Sequence, residues 1–325
     1  MTSRKLTQMF LALAALVMMA MSALAADPGT VVPSDIVSDQ KAGSVLIYNL
    51  YASSSTDPSK ENTRINITNT DDRDGVFVHL FFVDGSTCSV ADSYICLSKS
   101  QTTSILASDV DPDTRGYIVA VATDSNGTPI KWNKLIGDEY VKLASGHAAN
   151  LGAEAVEAVA AAPAVAGPDM TADLLFNGAQ YGRLPRVLAL DSIASAKDGN
   201  DTLLVVSRIG GSLVSGASTI GSIFGLLFDE LEAGYSFNVS GGCQLRASLS
   251  DSFPRTTPRF TNVIPAGSTG WMKFWATADV AILGAAINKN ATASATSFNG
   301  GHNLHKLTYT ANGAYRIPVF TAMCS

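Results

Sequence analysis

The chain has 325 residues, of which 46% are hydrophobic and 15% charged, with a net charge of −6. Twenty-two Lys and Arg face 28 Asp and Glu with no basic cluster, so nothing is in place to neutralise a phosphate backbone or to seat the chain on an anionic membrane. Nucleic acid is excluded as an expected partner on that ground.

In chain order, Arg4 and Lys5 precede an uncharged apolar stretch, residues 9–21, and then Ser22, Ala23, Leu24 and Ala25, an A-x-A cleavage pattern. The stretch is shorter than the ~20 residues that span a bilayer. Residues 1–25 are therefore expected to be a signal peptide, with no transmembrane segment left after cleavage. Residues 26–42, carrying Pro28, Gly29 and Pro33, are expected to form a flexible N-terminal arm.

Short strand-like runs follow at 44–51, 63–69, 76–83, 102–106, 116–122 and 130–136, separated by turn formers such as Asp84-Gly85 and Asn126-Gly127. Ile65 and Ile67 alternate with Asn66 and Thr68, the period of a strand with one wet face. Residues 146–180 differ: alanine dominates 153–162, which predicts a short helix stopped by Pro163 and a Pro/Gly linker beyond it. The second half then repeats the order of the first. Runs at 186–191, 202–207, 222–229, 270–276 and 280–287 parallel 44–51, 63–69, 77–84, 116–122 and 130–136, the pattern of a diverged internal duplication. The fold expected is all-β: two antiparallel immunoglobulin-like β-sandwich domains, 43–145 and 181–325, joined by the Ala-rich segment.

The elements at 63–70, 76–85 and 116–121 resemble those of immunoglobulin-like modules in exported bacterial proteins. The stretches 137–143 (Gly-Asp-Glu-Tyr-Val-Lys-Leu) and 298–305 (Phe-Asn-Gly-Gly-His-Asn-Leu-His) are similar to those of secreted bacterial proteins. The resemblance implies a sandwich fold and a periplasmic or extracellular location, and no activity.

Cys88, Cys96, Cys243 and Cys324 form an even set, which in an oxidising compartment points to disulfides. Three pairings are open. Joining Cys88 to Cys96 and Cys243 to Cys324 keeps each bond inside one expected domain. No Cys pair has the C-x-x-C spacing of a structural zinc site.

No Gly-x-Ser-x-Gly elbow accompanies the four histidines, and residues 210–216 do not fit its spacing. His79 alternates with aromatic residues and reads as a satisfied, partly covered strand histidine. His302 and His305 are close enough to share a metal. A third ligand is not evident beside them, and residues three apart on a strand face opposite ways, so ordinary loop hydrogen bonds are expected there. Asp109, Asp111 and Asp113 have the alternate spacing of a Ca²⁺ loop, but Thr114 replaces the turn glycine and Ala120 the bidentate Glu. A solvated acidic turn is the expectation, with Ca²⁺ as its rival; no other cofactor is implied. Trp271, Lys273 and Trp275 fall on one side of a strand, the two rings about 13 Å apart at ~3.3 Å per residue. That face could stack on sugar rings, or pack inside the protein.

The expected function is an exported, non-enzymatic structural or adhesive surface protein, with polysaccharide or other surface proteins as partners. The alternatives are a carbohydrate-binding protein using Trp271 and Trp275, and a pilus-like polymerising subunit whose arm, 27–42, adds to a neighbour's sheet edge.

Overall fold

The computed structural model describes residues 37–249, 260–290 and 300–323; the expected signal peptide, most of the arm and Cys324 lie outside them. The first half runs β1 (Val45–Ala52), β2 (Asn62–Asn69), β3 (Val76–Asp84), β4 (Val90–Leu97), β5 (Thr102–Leu106), β6 (Arg115–Thr123), β7 (Leu135–Lys142), β8 (Ala148–Gly152) and β9 (Glu154–Val156). After β10 (Thr171–Phe176) come β11 (Leu184–Ala194), β12 (Asn200–Arg208), the short β13 (Gly210–Ser212) and β14 (Gly216–Ala217), and β15 (Gly221–Phe228). The chain closes with β16 (Gly234–Gly241), β17 (Gln244–Ser248), β18 (Thr269–Ala276), β19 (Ile282–Asn290), β20 (Gly300–Asn303), β21 (His305–Thr310) and β22 (Gly313–Pro318). One-turn helices, α1 (Ala107–Val110) and α2 (Phe260–Val263), precede β6 and β18.

The strands make five small sheets, and two pairs of sheets have the same strand order. Sheet I, β4-β3-β6-β1-β9, is matched by sheet IV, β16-β15-β18-β11-β21. Sheet II, β5-β2-β7-β8, is matched by sheet V, β17-β12-β19-β20. Sheet III, β10-β22-β13-β14, has no counterpart. The sequence repeat is thus a repeat of topology, with β1–β9 answered by β11, β12 and β15–β21. One expected equivalence shifts: β19 answers β7, which begins at Leu135, and residues 130–134 lie outside any strand.

The expectation of two separate immunoglobulin-like sandwiches is corrected in two respects. In the immunoglobulin arrangement the first strand pairs with the second and the seventh with the sixth. Here β1 pairs with β6, and β7 pairs with β2, so the outer strands have exchanged sheets. The sheets also close a propeller-like ring through shared cores. Leu46 and Phe82 of sheet I meet Ile65 and Ile67 of sheet II. Val141 and Leu151 of sheet II meet Val205 and Ile287 of sheet V. Leu204 and Ala286 of sheet V meet Leu188 and Met272 of sheet IV. Leu184 of sheet IV, Phe176 and Tyr315 of sheet III, and Phe81 and Val119 of sheet I share a further core. Buried apolar surface joins the halves, and a hydrogen bond of 3.0 Å between the Tyr117 and Tyr315 hydroxyls crosses that seam.

The Ala-rich segment is strand, not helix. Ala153, Glu154, Ala155 and Val156 are all buried, with Ala153 and Ala155 in one core and Val156 in another, while β9 pairs with β1. Burial on both sides satisfies an extended segment and overrides the local helix propensity of alanine. The end of the arm is held as well: Val37 is buried, and Ser38 exchanges backbone hydrogen bonds with Ala155. Cys88 is bonded to Cys243 across the halves, with Cα atoms 5.3 Å apart, which replaces the within-domain pairing. Cys96 is also not a free thiol. Among the described residues no helix is long and apolar enough to cross a membrane.

Candidate metal centre

The polar pair Asp191-Ser192 interrupts the apolar run of β11. Leu190 lies opposite Met272 and Ile193 opposite Gly270, so two residues of β11 face the single Trp271 of β18. This is a β-bulge, with Ser192 at φ 51°, and it leaves the Asp191 carboxylate exposed while Leu190 and Ile193 both stay in the core. The duplicate carries the same bulge: Asn49 and Leu50 of β1 lie between the pairs Tyr48–Ile118 and Tyr51–Gly116. A glycine follows each bulge on the partner strand, because a Cβ on Gly116 would strike the Val83 carbonyl and one on Gly270 would lie 2.7 Å from that of Phe228.

His302 and His305 reach Asp191 from two different sheets. His302 sits on β20 opposite Ala286 of sheet V, and His305 on β21 opposite Ala189 of sheet IV. Leu304 is the step between sheets, buried and held by its N–H to the Gly284 carbonyl at 2.9 Å. A continuous strand would turn the two imidazoles to opposite faces. The change of sheet at Leu304 brings them to the same carboxylate.

Asp191 Oδ1 lies 3.3 Å from His305 Nε2 and 3.5 Å from His302 Nε2. One ligand atom from each of the three residues falls within 4.8 Å of the others, the only such group of His, Cys, Asp or Glu among the described residues. Charge-assisted N–H···O bonds run ~2.7–2.9 Å, so the carboxylate is closed onto neither ring. A tetrahedral ion with bonds of ~2.0–2.1 Å would set its donors about 3.3–3.4 Å apart, close to the two Asp191–imidazole separations. Burial lowers the pKa of His302 below its ordinary value; Asp191 opposes this and His305 adds to it. The neutral imidazole, the form that ligates, is thereby favoured.

The three side chains stand at a cavity of about 580 Å³. Leu190, Ile193, Ala194 and Ala286 give it apolar walls, and Asn200 and Thr202 supply polar groups. Asp191 is the only carboxylate on its described lining. A cavity of this size with a few convergent polar groups suits a small ligand.

The other sequence candidates are not brought together. Trp275 is 1% exposed and packs on Phe224 at 5.3 Å, so it offers no face to a sugar, whereas Trp271 is 40% exposed and stacks on Phe228 at 4.7 Å. Lys273 lies between them, opposite Leu226 and Ala189. Asp109 belongs to α1, Asp111 accepts from the Tyr51 hydroxyl at 2.5 Å, and Asp113 accepts from Ser55 N at 2.8 Å and its Oγ at 2.6 Å. The ligand atoms of the three carboxylates do not converge as a group among the described residues. His79 is fully buried, stacked on Tyr94 at 4.0 Å and joined through Nε2 to Asp92 at 2.8 Å. Asp191 is the residue that sequence reasoning missed, and its signal was a polar pair set inside an apolar strand.

No family model and no curated protein matches the chain. Among solved structures, vicilin from Capsicum annuum is similar at 11% identity over 79% of this chain and 77% of that one, with a TM-score of 0.17. An oxalate decarboxylase structure from Bacillus subtilis is similar at 7% identity over 72% of this chain and 66% of that one, with a TM-score of 0.14. Likenesses at that level carry no argument about fold or function.

Proposed function

We propose that this is an exported, non-enzymatic binding protein whose ligand is taken up at a divalent transition metal held by Asp191, His302 and His305. The observation that carries this reading is the convergence of two imidazoles and one carboxylate, from three strands, at donor separations that fit a metal. Two nitrogen donors favour Zn²⁺ or a neighbouring first-row ion over Ca²⁺ and Mg²⁺, which take oxygen ligands. Three protein ligands leave a position open, and the adjoining cavity gives a small ligand or one donor group of a surface partner access to it. The described lining supplies no second carboxylate to act as general base across that position, which favours binding over hydrolysis. A structural or adhesive role at the cell surface agrees with this reading, the metal being its point of attachment.

Equilibrium dialysis of tag-free protein against Zn²⁺ is the test. The expected result is one equivalent bound at pH 7.5, with affinity falling in acid because proton and metal compete for the imidazole nitrogens. His302→Ala, His305→Ala and Asp191→Asn should each weaken binding by at least tenfold while the melting temperature of the metal-free protein holds. Equal binding by wild type and a His302→Ala/His305→Ala double variant would overturn the proposal.

A further inference from the structure

A second cleft, of about 680 Å³, opens on the seam between the halves, away from the metal centre. Its charged lining is Glu61, Asp84, Asp113, Arg115 and Arg246. Glu61 is buried and takes both of its bonds from one partner, Arg115 Nε to Oε1 at 2.5 Å and Nη2 to Oε2 at 2.5 Å. Arg246, from β17 of the other half, makes no hydrogen bond to that pair. Among the described residues Arg246 makes no hydrogen bond; it is half-buried, with burial and the nearby Arg115 charge acting against its own charge and the Glu61 carboxylate acting for it. A guanidinium keeps its charge at all ordinary pH, so a cation with N–H donors unused among the described residues borders this cleft.

The remaining lining narrows the ligand. Asp84 is oriented by Ser86, whose N–H and Oγ donate to Oδ1 at 2.6 and 2.7 Å, and Asp113 is oriented by Ser55. Two oriented carboxylates disfavour a bare oxyanion that brings no hydroxyls to bond them. Asp84 Oδ2, which accepts from Thr87 Oγ1 alone, and both oxygens of Asp113, which accept one bond each from Ser55, keep lone pairs for a hydroxyl. No aromatic or large aliphatic side chain lines the cleft, so nothing here would hold an apolar group. We infer that the cleft binds a polyhydroxylated carboxylate of the uronic acid class, its acid on Arg246 and its hydroxyls on Asp84 and Asp113. Such a group could arrive as a free sugar acid or as a residue of an acidic polysaccharide. The site is independent of the metal centre.

Calorimetric titration of the full chain in low salt tests the inference, with D-galacturonate, tri-galacturonate, D-galactose and sulfate as probes. Binding of galacturonate, with neither galactose nor sulfate binding as tightly, is the expected result. Tighter binding of the trimer would identify a polysaccharide as the source, and equal binding a free sugar acid. Arg246→Gln should weaken galacturonate at least tenfold and Arg246→Lys by less, both with an unchanged melting temperature. Galactose or sulfate binding as well as galacturonate would overturn the inference. So would the absence of any binding, or an Arg246→Gln variant that binds like wild type.

Discussion

Two glutamates in the first half are buried by the packing of sheets. Glu139 accepts from Leu50 N at 3.1 Å, and burial pushes its pKa well above the ordinary carboxylate value. Glu154 is buried too; desolvation raises its pKa to about 7, against the pull of Lys306 at 2.7 Å. The folded state therefore favours the protonated acid, while the unfolded chain ionises near 4.5. The stabilisation from this group is complete below pH 4.5 and is lost as pH rises through about 7, a change of roughly 3 kcal/mol if the full shift is realised. Melting curves between pH 5 and pH 8 should show wild type losing more stability than Glu154→Gln. Parallel curves for the two proteins would show that Glu154 is not what couples stability to pH.

At the scale of the element, the bulge and the sheet step decide where chemistry can occur. The duplication places Asn49, Leu151 and Glu154 of the first half where the second has Asp191, His302 and His305, as the matched registers of β1 with β11, β8 with β20 and β9 with β21 require. In the first half these positions are buried: the Asn49 amide donates to Asn303 Oδ1 at 2.8 Å, and Glu154 is capped by Lys306. In the second they are exposed and carry metal-ligating types. One scaffold thus uses the same three places once for structure and once for the candidate site. Deleting Ser192 would remove the bulge and leave Leu190 and Ile193 on the core face, since alternation survives the loss of the extra residue. The deletion variant should fold and bind Zn²⁺ at least tenfold more weakly; unchanged affinity would mean that the bulge does not aim Asp191.

The same elements show how much was legible beforehand. Strands such as β2, β3 and β6 followed from period-two patterns and apolar runs bounded by Asp-Gly turns. The repeat followed as well, because both copies bury the same face. The Ala-rich β9 was not legible, since its extended form depends on cores that residues 45–52 and 37–38 complete from a distance. The pairing of His302 with His305 was visible in the sequence, but the sheet change at Leu304 and the arrival of Asp191 from more than a hundred residues away were not. The seating of Trp275 against Phe224 likewise depends on a neighbouring strand.

Across the whole molecule, the shared cores and the Cys88–Cys243 bond make the halves one body. That bond closes a loop of 155 residues, for which chain entropy alone implies about 5 kcal/mol, toward the upper end of what native disulfides contribute. A Cys88→Ser/Cys243→Ser protein should still unfold in one calorimetric transition, at a lower temperature, because Tyr117, Tyr315 and their neighbours tie the halves without it. Two resolved transitions would show that the ring comes apart at the seam.

Anomalous diffraction from Zn²⁺-soaked crystals, recorded above and below the zinc edge, tests the metal centre most directly. The expected result is one strong peak within ~2.3 Å of His302 Nε2, His305 Nε2 and an Asp191 carboxylate oxygen. A map with no peak at that position, or with zinc bound elsewhere on the molecule, would contradict it.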